Sequence, residues 1–117
     1  MNITKNTMGS KFNSQICTTR EQSKRLLALG LKKETADMCH RTSNGYNSYV
    51  TAWDILQQND DIPAWSLHRI MSMVYSSRAK KNGLGLAIIE YDNPFEDMIR
   101  QIEWLIKEGY FNKEYLV

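Results

Sequence analysis

Six apolar residues near the C-terminus, Phe95, Met98, Ile99, Ile102, Leu105 and Ile106, recur at i, i+3, i+4 and i+7 spacing. That stripe constrains the fold more than any other feature, because a helix with such a face has to bury it against a second apolar surface. The helix has readable ends. Asn93 is an N-cap, Pro94 takes the first helical position, Glu96 stands at the capping-box position, Asp97 lies near the positive end of the dipole, and Gly109 closes the segment. One large residue breaks the pattern. At about 100° per residue, Trp104 falls roughly opposite Phe95, on the face that Glu96, Asp97, Arg100, Glu103 and Lys107 give to water. Either another element of the chain covers this indole or a partner does.

The surface that receives the stripe has to come from the preceding residues. Residues 1 to 15 are polar and aperiodic and read as a mobile leader; residues 16 to 117 read as one domain. Thr18 and Glu21 have capping-box spacing, which predicts a helix from about Thr19 to Leu29, stopped by Gly30. Met38 to Ser43, Asn44-Gly45 and Tyr46 to Trp53 read as a β-hairpin with a two-residue turn. That turn would set Ser43 opposite Tyr46, Arg41 opposite Ser48 and Cys39 opposite Val50 on one face. On the other it would set Thr42 opposite Asn47, His40 opposite Tyr49 and Met38 opposite Thr51, with Trp53 added, and this second face is the expected core side.

Asn59, Asp60 and Asp61 then suggest a turn, and Pro63 pushes Ile62 towards an extended backbone. Ser66 caps a second helix carrying Leu67, Ile70, Met71 and Val74, ending near Tyr75 or Ser76. Leu84 to Tyr91 reads as a strand, and Tyr110 to Val117 as an aromatic tail able to fold back on the core. The expected fold is a compact α+β domain with the order α-β-β-α-β-α, about three helices packed on a small, largely antiparallel three-stranded sheet.

Several function classes drop out. The longest apolar run, Leu86 to Ile89, is far short of the roughly 20 residues needed to cross a bilayer, so no membrane role is expected. Cys17 and Cys39 lack ligand spacing, and no apolar N-terminal stretch resembles a signal peptide, which points to reduced thiols in a cytoplasm. Cys39 and His40 would project to opposite faces of a strand, so with His68 they make no expected metal site. Ser66 and His68 diverge on a helix start and make no expected catalytic pair. Gly83-Leu84-Gly85 precedes a strand instead of opening a helix, which removes the phosphate-cradling logic. The carboxylate pairs Asp60/Asp61 and Glu96/Asp97 have local explanations in a turn and a helix dipole. No cofactor is expected, and no catalytic residue is assigned.

Four phrases carry a resemblance: Cys17-Thr18-Thr19-Arg20-Glu21-Gln22-Ser23; Gly30-Leu31 with Thr35-Ala36-Asp37-Met38; Ile62-Pro63-Ala64-Trp65-Ser66-Leu67; and Trp104-Leu105-Ile106-Lys107-Glu108-Gly109-Tyr110. Together they resemble a group of small uncharacterised proteins of gut bacterial genomes and their phages or mobile elements. This chain departs from the group in its short middle between Tyr75 and Leu84. The resemblance implies a cytoplasmic α+β domain of bacterial or phage origin, and it implies no activity.

Two surfaces remain. Net charge is only +2, but residues 1 to 41 carry +5 and residues 90 to 117 carry −4. Lys24, Arg25, Lys32, Lys33, Arg78, Lys80 and Lys81, joined by Arg20, are candidate phosphate contacts if folding gathers them. Trp104, Trp65, Tyr110 and Phe111 are candidate protein-interface residues, tryptophan and tyrosine being favoured interface anchors. The expectation is a non-enzymatic interaction or accessory module of a bacterial mobile element that binds a protein partner or itself. The alternative is a small nucleic-acid-binding protein using the basic N-terminal half.

Overall fold

The computed structural model describes residues 15–43, 47–52, 61–80 and 93–117. Among the described residues, three helices and three strands run in the order α1 (Arg20–Ala28), β1 (Met38–Ser43), β2 (Asn47–Ala52), β3 (Ile62–Ala64), α2 (Leu67–Ala79) and α3 (Pro94–Lys107). The α+β class and the antiparallel three-stranded sheet are those expected, with spatial order β2-β1-β3. The observed third strand is Ile62–Ala64, where the sequence suggested only an extended residue before proline. The predicted leader apart from Gln15, and the predicted strand Leu84 to Tyr91, lie outside the described residues.

The hairpin register differs from expectation by one residue. Met38 pairs with Ala52, Cys39 with Thr51, His40 with Val50, Arg41 with Tyr49, Thr42 with Ser48 and Ser43 with Asn47, so three residues separate the strands instead of two. Asn-Gly is compatible with either loop length, so turn chemistry leaves the register open. A second strand constrains β1 from its other edge, setting Met38 opposite Ala64, Cys39 opposite Pro63 and His40 opposite Ile62. Just beyond that ladder the Arg41 guanidinium forks onto Asp61, with Nη2 2.7 Å from Oδ2 and Nε 3.0 Å from Oδ1. The pair is largely buried, so Asp61, expected as a turn residue, is an ion partner of β1. Cys39 is fully buried whereas Met38 and His40 are half-buried. The expected assignment of the Met38/His40 face as the core side is therefore corrected: β1 is the central strand, and its fully buried residue, Cys39, lies on the opposite face.

Helix α1 begins one residue later than its sequence suggests. Thr19 is the N-cap, its hydroxyl accepting from the Gln22 N–H at 3.1 Å while Gln22 Oε1 accepts from the Thr19 N–H at 3.0 Å. Thr18 is occupied elsewhere. Its backbone N–H donates to the Trp65 carbonyl at 2.9 Å, and its hydroxyl accepts the Trp65 N–H at 3.0 Å and bonds Ser23 Oγ at 2.8 Å. Its carbonyl accepts a bond from His40 Nε2 at 2.7 Å. One buried threonine thus ties α1 to β1 and to the end of β3, which is why the neighbouring threonine is left to cap.

The core lies between the three helices and the C-terminal tail: Leu26 and Leu31, Trp65, Ile70, Met73 and Val74, then Phe95, Met98, Ile99, Ile102 and Leu105, closed by Phe111. Five of the six stripe residues are buried and Ile106 packs at the margin, as the periodicity predicts. Ser66 caps α2 by accepting the Arg69 N–H, and α2 runs on to Ala79, past its predicted end. The extension brings Ser76 and Ser77 to the tail, where Ser76 Oγ meets the Tyr115 hydroxyl at 2.9 Å and Ser77 Oγ accepts the Asn112 N–H at 2.9 Å. The tail also reaches α1's exit: Lys32 N–H donates to the Tyr115 carbonyl, and Val117 N–H to the Gly30 carbonyl, each at 2.8 Å.

Candidate protein-binding surface

The turn that ends α3 builds this surface. Gly109 adopts φ 79°, a left-handed conformation suited to glycine. Its N–H bonds the Ile106 carbonyl at 3.0 Å, and the Tyr110 N–H bonds the Leu105 carbonyl at 2.8 Å, the paired pattern of a Schellman motif. The chain reverses there and splits its aromatics. Phe111 turns inward, is 4% exposed, and meets the Tyr115 ring at 5.7 Å between centroids. Tyr110 stays half-buried and packs edge-to-face against Trp104, centroids 5.8 Å apart and planes at 64°.

Trp104 itself is 42% exposed, one of the few large hydrophobic side chains open to solvent among the described residues. From the last turn of α2, the Arg78 guanidinium carbon stands 5.8 Å from the indole centroid, within cation–π range. The resulting cluster is Trp104, Tyr110 and Arg78, and these are the three residue types most enriched among interface hot spots. Reasoning from sequence found the two aromatics but put Arg78 with the phosphate contacts. Nothing local in the chain signals that the end of α2 crosses the end of α3.

The other two aromatic candidates are corrected. Trp65 is fully buried, and its indole N–H donates to Thr35 Oγ1 at 2.9 Å. Thr35 passes the bond on to the Lys32 carbonyl, and its own carbonyl accepts from Arg69 Nε. Trp65 and Phe111 are core residues because the tail and the 310 turn Lys33–Thr35 close over them, so neither offers surface.

The basic candidates are scattered over several elements. Arg25 Nη1 contacts both Glu96 oxygens at 2.9 and 2.8 Å, and Nη2 lies 3.8 Å from Glu103. Gln22 donates to the same Glu96 carboxylate at 2.8 Å. The hydrogen bond from Gln22, and then that from Arg25, hold the Glu96 carboxyl below its usual range, with the charges of Arg25 and Arg100 acting in the same sense. Arg25 therefore serves the α1–α3 seam. Lys80 is exposed and 3.7 Å from Glu114, Lys24 and Lys33 are exposed, Lys32 is half-buried, and Lys81 lies outside the described residues.

The cysteine and histidine candidates are equally plain in their geometry. Cys17 is buried with Sγ 4.0 Å from His40 Nε2, but that nitrogen donates to the Thr18 carbonyl and so carries the proton. Burial first, then the charges of Asp37 and Cys39, push the Cys17 thiol up to about 11. This is a protonated, shielded thiol, the opposite of an activated nucleophile. His68 is exposed on the first turn of α2, and Ser66 bonds Asp37 through both its N–H and its hydroxyl. Among the described residues no group of three or more His, Cys, Asp or Glu is placed to hold a metal ion, and no helix is long and apolar enough to cross a membrane. No protein-family model matches the chain, and neither the curated proteins nor the solved structures give a match.

Proposed function

We propose that this chain is a protein-interaction module that binds its partner through the surface centred on Trp104. The observation that carries the reading is an indole 42% exposed at the end of a helix whose other large apolar residues are buried or, at Ile106, half-buried, braced by Tyr110 and Arg78. Bracing matters because a side chain already held in place loses less conformational freedom on binding, so more of its contact energy remains as affinity. The setting, an accessory protein of a bacterial mobile element, rests on the resemblance carried by the four sequence phrases. The test is affinity capture in the native host with the wild-type chain and with Trp104→Ala, with and without nuclease. The expected result is one specific protein held by the wild type, lost with Trp104→Ala and indifferent to nuclease. A nuclease-sensitive capture that Trp104→Ala leaves intact would favour nucleic acid on the basic half.

A further inference from the structure

The cation beside the indole says more about the partner than the indole does. Resting on the reading of Trp104 as a protein contact, we propose that the docking segment is acidic and apolar: an aliphatic or aromatic side chain against the indole edge, flanked by a carboxylate that pairs with Arg78. Arg25 and Arg41 already have acids, Glu96 and Asp61, and the Arg69 Nε–H donates to the Thr35 carbonyl. Arg78 differs. Among the described residues no carboxylate pairs with it, and its Nε is buried with no hydrogen-bond partner, while the group is held against Trp104. A guanidinium so fixed, with no carboxylate pairing it among the described residues, is complementary to an incoming carboxylate.

Two exposed cations on the ring's side of α3 add to this charge. Arg100 and Lys107 stand four residues before and three after Trp104, hence on its side of α3, and both are exposed. Glu108 is the exposed acid at i+4, and Lys80, two residues beyond Arg78, is exposed with its ammonium 3.7 Å from Glu114. Ring access separates a peptide from a nucleobase. Arg78 stands over one face of the indole and Tyr110 packs against the ring at 64°, and base stacking requires an open face.

The experiment uses the full chain labelled with 15N and follows the Trp104 indole N–H signal, identified by its disappearance in Trp104→Phe. Three peptide pools of equal length are titrated, each mixing Leu and Phe with Asp and Glu, with Asn and Gln, or with Lys and Arg; a twenty-residue oligothymidylate is the fourth probe. The acidic pool is expected to move the Trp104 signal, binding about threefold to tenfold more tightly than its amide counterpart, with the gap closing at high salt. Arg78→Lys should keep part of the preference, and Arg78→Glu should transfer it to the basic pool. Should Arg78→Glu not fold, the exposed pair Arg100→Glu with Lys107→Glu serves the same purpose. Equal binding of acidic and amide pools, or a preference unmoved by charge reversal, would overturn the acidic partner while leaving Trp104 as a protein contact. A response to oligothymidylate alone would overturn both readings. Silence from every probe would overturn the acidic partner, and the capture experiment would still decide the first reading.

Discussion

Trp65 and Trp104 are the same residue type with the same sequence-level claim to an interface, and the fold gives them opposite work. Trp65 is fully buried, its backbone clasped by Thr18 and its indole N–H bonded to Thr35. Trp104 keeps 42% of its surface and touches the chain through Tyr110 and Arg78. A tryptophan whose polar atom and backbone are both satisfied inside the fold is fixed by stability. One left open beside a cation that no carboxylate among the described residues pairs with costs little to remove from the monomer and is therefore free to serve a contact.

The largest expected effect is at the buried ring. Trp65→Ala should destabilise the chain by about 3–5 kcal/mol, read as a lower urea midpoint, because it removes a core aromatic and leaves a cavity. A loss below about 1 kcal/mol would erase the distinction between the two tryptophans. Next is Thr35→Val, nearly isosteric, which removes the acceptor of the Trp65 indole N–H. It should cost about 1–3 kcal/mol, the penalty for a stranded buried donor.

A smaller effect tests the seam that carries the helix of Trp104. The folded state depresses the Glu96 pKa through bonds from Gln22 and Arg25, so this contribution is present above the carboxyl's ordinary value and is lost as pH falls through its folded value. Melting temperatures taken from neutral pH into the acid range should therefore fall less steeply for Glu96→Gln than for the wild type, and parallel slopes would remove Glu96 from the seam. The smallest change in stability belongs to Trp104→Ala, within about 1 kcal/mol of wild type by urea unfolding. A loss comparable to that of Trp65→Ala would make Trp104 a core residue and empty the proposed surface.

What the sequence disclosed follows the range of the interaction concerned. The Asn93 cap, the Ser66 cap, the Gly109 stop and the apolar stripe of α3 depend on residues within a turn or two of one another, and each is found where expected. The exposure of Trp104 follows from the same periodicity. The α1 cap slipped from Thr18 to Thr19 because Thr18 bonds Trp65, far along the chain, and no local pattern encodes that preference. The hairpin register slipped because β3 pairs with the opposite edge of β1 and Arg41 reaches Asp61. At the candidate surface, Trp104 and Tyr110 were legible as neighbours across a helix stop. Arg78 was not, since only the packing of α2 on α3 brings it there.

The most direct measurement is photo-crosslinking in the native host with p-benzoylphenylalanine placed at position 104, and at the exposed position 24 on α1 for comparison. The account predicts a discrete protein adduct at 104 and none at 24. Adducts to nucleic acid at 24 with none at 104, or no protein adduct at 104 at all, would contradict it.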